Sequence, residues 1–300
     1  MGFFTNSLVQ NITIGDNVKF YNNSMYNAFN NCRNFNSPIN IPAGVTNISR
    51  TFHQCMNLNA PINIPDSVTN MCYAFSSCSN FDQPIVLPNS VTDISYAFYQ
   101  STNFNQPLVF PQGLTNMAQA FRVARKFNQT VTIPNSVTNM CYAFADCNAL
   151  NSPVTLSSAA TDVSSTFYSC SMFNQPVTIP SSATNVANMF TSCLMFNQPV
   201  TIPSGVTNIQ GMFESCQNMS QNIVVRATGI NSVLSFLAQK SNSKRVNIHV
   251  PRGSTTNTTF TTNNCGITYV IFGSKNILWS KSTNYCYNTA FNIYIYWNYF

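Results

Sequence analysis

Ile133-Pro134-Asn135-Ser136-Val137-Thr138-Asn139-Met140-Cys141-Tyr142-Ala143-Phe144-Ala145-Asp146-Cys147-Asn148-Ala149-Leu150 is one turn of a pattern that recurs along most of the chain. Its central phenylalanine returns every 23 residues, ten times, as Phe29, Phe52, Phe75, Phe98, Phe121, Phe144, Phe167, Phe190, Phe213 and Phe236. Strict self-similarity at such a period marks a solenoid, in which each repeat is one coil. Three residues after the phenylalanine stands a small residue: Cys32, Cys55, Cys78, Ser101, Ala124, Cys147, Cys170, Cys193 and Cys216. Three further on comes a large apolar one, from Phe35 and Leu58 to Phe196 and Met219.

Each part of the coil has a physical reading. Val200-Thr201-Ile202 alternates apolar, polar, apolar, which is strand period. Pro199 and Pro203 bracket it, where proline's missing N–H does no harm to a ladder. The spacing Phe-x-x-Cys-x-x-Phe has a period of three and predicts a short helical or 3₁₀-like turn. A lone coil of this kind cannot bury its apolar face, so coils must stack and share strand hydrogen bonds. Ten coils at the strand spacing give a rod about 48 Å long. The expected fold is therefore a leucine-rich-repeat-like solenoid of about ten coils, with short parallel strands, short helical turns and a β-rich C-terminal cap.

The run Ile-Pro-Asn-Ser-Val-Thr-x-Met-x-Tyr-Ala-Phe-x-x-Cys-x-x-Phe, seen at Ile133–Leu150 with Leu150 at its last place, resembles the leucine-rich repeat of the BspA type. The Phe-Asn-Gln-Pro blocks at Phe173–Pro176 and Phe196–Pro199 are similar to a related bacterial surface-protein repeat of unknown function. The resemblance spans residues 25–249. It implies a surface adhesion or interaction protein, or a member found in phage particles, and it brings no catalytic residues.

Composition narrows the function classes. Charged residues make up 7% of the chain, and Asn, Ser, Thr and Gln carry solubility. Such a surface suits sugars or close protein packing and does not suit nucleic acid in general. The net charge of +6 is uneven: Arg226, Lys240, Lys244, Arg245, Arg252, Lys275 and Lys281 follow one another with no acid between. This one-signed run reads as the solvated face of a cap, the alternative being an end that steers toward an acidic partner. No apolar run is long enough to cross a membrane. Met1-Gly2-Phe3-Phe4-Thr5-Asn6 has neither a basic stretch nor a long apolar core, so it is not read as a signal peptide.

Of eleven cysteines, seven share one column. Parallel side chains on adjacent coils hold their Cβ atoms farther apart than a disulfide prefers. These cysteines therefore read as free, buried, small fillers. Cys265 and Cys286 stand outside the repeat and are the pair available to bridge the C-terminal piece. His53 and His249 are the only histidines, and no acid or nucleophile recurs near either in register. No Cys-x-x-Cys pair and no glycine-rich phosphate loop occur, so neither a metal, a cofactor nor an enzyme is expected.

Residues 1–24 read as a degenerate first coil, in which Ile12 to Val18 mimics the strand-and-turn block. Residues 25–249 are the array, and 250–300 form a β-rich cap or docking segment. The stacked column Asn36, Asn59, Asp82, Asn105, Asn128, Asn151, Asn174 and Asn197 is expected to bond the backbone of neighbouring coils. Three surfaces are candidates for contact. One is the outward strand row Thr132, Thr155, Thr178 and Thr201, a ligand face for glycan or protein. A second is the basic trio Arg122, Arg125 and Lys126, suited to a phosphate or an anionic glycan. The third is the C-terminal strand with Tyr294, Tyr296, Trp297, Tyr299 and Phe300, which either caps the last coil or docks into a partner or a symmetry mate of a homo-oligomer. The expected function is a non-enzymatic virion component of a phage, contacting other virion proteins or a host surface glycan. The alternatives are a bacterial cell-surface adhesin and an intracellular scaffold.

Overall fold

The computed structural model describes residues 2–15, 18–221 and 223–227, and beyond them the backbone of strands 246–251, 259–261, 268–270 and 293–298. Phe236, Cys265, Cys286, Tyr299 and Phe300, and most of the C-terminal basic run, lie outside the described residues.

The phenylalanines stack. Nine rings from Phe29 to Phe213 lie one above the next, with centroids 5.3 to 6.1 Å apart and planes within 17° of parallel. A second file, six residues on, packs against the first within each coil, as Phe98 on Phe104 at 4.3 Å and Phe190 on Phe196 at 4.2 Å. Offset stacking at these distances is favourable for aromatic rings. The column was expected to begin at Phe29, but Phe4 adds a ring below it, 5.4 Å from Phe29 and 9° from parallel. Phe4 lies 25 residues before Phe29, so the period hides it. Its carbonyl accepts the Cys32 thiol at 2.8 Å.

Where coils meet on the strand side, the contacts are short parallel pairs. β1 (Ile39–Asn40) pairs with β2 (Ile62–Asn63), and β3 (Val131–Thr132) with β4 (Val154–Thr155). β5 (Val200–Ile202) pairs with β6 (Ile223–Val225). The sheet continues through β7 (Val246–Pro251) to β10 (Ile293–Asn298), both parallel, in the order β10-β7-β6-β5. Between them in sequence, β8 (Thr259–Thr261) and β9 (Thr268–Val270) form an antiparallel pair. Tyr294, Tyr296 and Trp297 thus sit on a strand whose backbone extends the solenoid's own sheet.

Around the phenylalanine the backbone is not helical, which corrects the expected helical turn. Among the described residues there is no α-helix. The N–H groups of Met71, Tyr73, Phe75 and Ser77 reach across to the carbonyls of Asp93, Ser95, Ala97 and Tyr99 at 2.6–3.0 Å. Those of Ala74, Ser76 and Cys78 bond within the coil, three residues back. The remaining N–H, on Cys72, is taken by the Asn70 side chain at 2.9 Å. Every amide of the arc is therefore satisfied, half locally and half by the next coil. This alternation requires left-handed residues two before and two after each phenylalanine. All nine coils have them, from Asn27 and Asn31 to Gly211 and Ser215.

Only Gly211 among these left-handed positions is glycine. Val123, at φ 65°, is the costly one, because a β-branched side chain is poorly tolerated there. Replacing it with Asn, which visits this region readily, should raise stability by about 1 kcal/mol. Urea denaturation of Val123→Asn beside the parent chain checks this; an unchanged or lowered midpoint would contradict it.

Side chains form further rungs. Asn59, Asp82, Asn105, Asn128, Asn151, Asn174 and Asn197 each donate their backbone N–H to the side-chain oxygen of the same column one coil earlier, at 2.8–2.9 Å. No disulfide joins two cysteines among the described residues, and the cysteines do more than fill space. Each buried thiol donates to a phenylalanine carbonyl one coil earlier, as Cys78 to Phe52 at 2.9 Å and Cys170 to Phe144 at 3.0 Å. Ser101 makes the same bond to Phe75 at 2.6 Å, which is why serine substitutes there. Burial pushes these thiols well above their usual range, so they are not thiolates.

Candidate functional site

The same arc that buries the phenylalanines leaves most of the residues two before and one after them half-exposed, although Ser76, Ala145, Ser165, Thr191 and Gly211 are buried. On six consecutive coils this produces a half-exposed strip of tyrosine and arginine. Arg50 lies 4.6 Å over the Tyr73 ring, and Tyr73 stacks on Tyr96 at 4.3 Å and 8°. Tyr96 meets Tyr99 edge-on at 5.9 Å. Arg122 stands 5.9 Å from the Tyr99 centroid and 5.0 Å from that of Tyr142, and Tyr142 adjoins Tyr168 at 6.3 Å.

Polar contacts fix the strip. Gln119 donates to the Tyr96 hydroxyl and accepts from Arg122 Nη1 at 2.9 Å. Arg122 Nε lies 3.8 Å from Asp146 Oδ2, the sole salt bridge among the described residues. Burial, followed by neighbouring Tyr96, pushes the Tyr73 phenol up to about 12, so it remains a neutral hydroxyl. Burial, then Arg50, lowers the His53 pKa, so this ring beside Tyr73 is uncharged at neutral pH. Asn27 Oδ1, His53 Nδ1, Ser76 Oγ and Arg122 Nε are buried without a hydrogen-bond partner among the described residues, and all four belong to this arc.

Past Tyr142 the outward column shrinks, through Ser165 and Asn188 to Gly211. The step leaves a cleft of about 560 Å³ bounded by Arg122, Tyr142 and Tyr168 at one end and by Glu214 and Ser215 at the other. Asn188, Thr191 and Ser192 lie between. A Cβ at Gly211 would stand 2.2 Å from Asn188 Oδ1 and 3.4 Å from Glu214 Oε2.

Apart from Arg122, the residues singled out from sequence fall elsewhere. Thr132, Thr155, Thr178 and Thr201 are exposed, in one file with Val86 and Val109, which are 82% and 87% exposed. The file is one residue wide and flanked by exposed Pro153, Pro176 and Pro199. The longer file Thr69, Thr92, Thr115, Thr161, Thr184 and Thr207 has its hydroxyls committed to the threonine carbonyls one coil back. The basic trio is divided: Arg122 is drawn into the tyrosine strip, whereas Arg125 and Lys126 are exposed beyond the Phe121–Ala124 turn. Sequence reasoning missed the strip itself. Its signal was present, because Tyr73, Tyr96 and Tyr142 share one column and Tyr99 and Tyr168 another. Among the described residues, no three His, Cys, Asp or Glu side chains gather as metal ligands, and no helix is long and apolar enough to cross a membrane.

Fold and surface together define a leucine-rich-repeat solenoid with an aromatic strip on its turn side. The chain belongs to the family described as Mycoplasma protein of unknown function, DUF285, which matches residues 23–133, 111–201 and 157–246. It is similar in structure to a leucine-rich repeat protein from Bacteroides ovatus, at 22% identity and a TM-score of 0.63 over 83% of this chain. It spans 66% of the length of that protein. A leucine-rich cell surface protein from Faecalibacterium prausnitzii aligns at 18% identity and a TM-score of 0.40, over 81% of this chain and 82% of that one. No curated protein matches.

Proposed function

We propose that this chain is a non-enzymatic recognition protein of a cell surface, which holds its partner along the tyrosine–arginine strip. The carrying observation is the continuity of Arg50, Tyr73, Tyr96, Tyr99, Arg122, Tyr142 and Tyr168 along one face of a chain that is otherwise poor in charge. Tyrosine and arginine dominate the energetics of protein interfaces. Tyrosine offers a large, stiff contact at low entropic cost, and these rings are already held by stacking. Surface placement follows the BspA-type resemblance of the repeat. The virion expectation has no support among the matched proteins, and the surface alternative takes its place. The partner is a surface protein or a surface glycan.

Attachment of the labelled full chain to epithelial cells tests this reading. Tyr73→Ala with Tyr96→Ala should weaken attachment at least 30-fold, the equivalent of losing about 2 kcal/mol or more at a hot spot. Thr155→Lys with Thr178→Lys, on the strand file, should leave it unchanged. The reverse pattern would move the binding face to the strands and sink the proposal.

A further inference from the structure

The cleft beyond Tyr168 has a chemistry of its own, and we propose that it is a subsite for a neutral saccharide. The inference rests on the recognition reading and names the ligand class of one end of that face.

The recess is a consequence of the repeat losing a side chain. The left-handed position that carries Tyr142 carries Ser165, Asn188 and then Gly211 in the following coils. Gly211 keeps φ at 63° and leaves room for Asn188 and Glu214 to face the same space. At about 560 Å³ the space falls within the roughly 300–1,000 Å³ typical of small-molecule sites. The Tyr168 ring at one end offers a flat apolar face to the C–H side of a sugar ring. The Asn188 amide, the Ser192 and Ser215 hydroxyls and the Glu214 carboxylate offer a mixed set of donors and acceptors to its hydroxyls. A carboxylate accepts two adjacent hydroxyl protons, and such charge-assisted bonds are the strong ones.

Charge selects against acidic ligands. Arg122, the cation at the cleft, lies 3.8 Å from Asp146, bonds Gln119 and covers the Tyr142 ring. The Glu214 carboxylate has no ion-pair partner among the described residues. An anion would meet this carboxylate, so sialylated or sulfated sugars and phosphates are disfavoured. A lone ammonium or guanidinium would leave the hydroxyls and amide of the walls unused.

The test uses the full chain on an array of neutral and acidic glycans, followed by calorimetric titration with the best neutral trisaccharide. An arginine-rich tripeptide serves as the cationic control. Binding to neutral glycans is expected, weakened at least tenfold by Tyr168→Ala and by Glu214→Gln. Gly211→Asn, which tolerates the left-handed backbone but fills the recess, should abolish it while leaving the thermal melt within a few degrees. Thr155→Lys with Thr178→Lys, on the strand file, should leave sugar binding unchanged, and cell attachment, read separately, reports on the strip. Binding to acidic glycans or the cationic peptide alone, no neutral glycan bound, or indifference to all three cleft variants would overturn the assignment.

Discussion

Phe121→Ala should lower the free energy of unfolding by roughly 3–5 kcal/mol, the usual cost of deleting a buried aromatic ring. Phe121 is fully buried at the middle of the stack. Its ring lies 5.3 Å from Phe98 and 5.4 Å from Phe144 in the same file, and 4.6 Å from Phe127 in its own coil. Phe110 meets it edge-on at 6.2 Å. Alanine would leave a cavity walled by these rings, and the coils above and below are pinned by the backbone and asparagine rungs, so collapse into the gap is hindered. Phe121→Leu, which keeps most of the volume, should cost much less. Urea denaturation followed by far-ultraviolet circular dichroism measures both. A loss below about 1 kcal/mol for the alanine variant would mean that the rings do not form a packed column.

Stack and register were legible because the phenylalanines never slip: any insertion would have broken the 23-residue count. The asparagine rungs were legible for the same reason, since a polar column beside an invariant turn has the adjacent coil as its neighbour. The arc was misread because a three-residue period fits both a 3₁₀ turn and a chain of β-turns. Residues such as Tyr73 and Ser77 do not advertise a left-handed backbone; the interlocking hydrogen bonds of the stack impose it. Phe4 was hidden by a 25-residue interval. The cysteine column read correctly as small and buried, but its thiol bonds depend on carbonyls supplied by another coil.

The candidate site was less legible than the fold. Arg122, Arg125 and Lys126 are neighbours in sequence, yet one tight turn sends the first to the tyrosines and leaves the others on solvent. Tyr73 and Tyr96, 23 residues apart, become a stacked pair only because the arc turns their column outward. The cleft depends on what is missing at Gly211, and a shortened side chain in one column reads as ordinary repeat variation.

Excision of whole and part coils tests the stacked register most directly. Deleting residues 130–152 removes 23 residues and joins Gln129 to Pro153, the junction that Gln175–Pro176 and Gln198–Pro199 already display. The shortened protein should retain one cooperative thermal transition, because a solenoid's stability is roughly a sum over neighbouring coils. Deleting residues 130–153 removes one residue more and joins Gln129 to Val154. That slip turns Thr155 inward and Leu156 outward, since a one-residue shift exchanges the faces of a strand. This second protein should lose the cooperative transition. Equal melting of the two, whether both fold or neither does, would contradict a chain wound as stacked 23-residue coils.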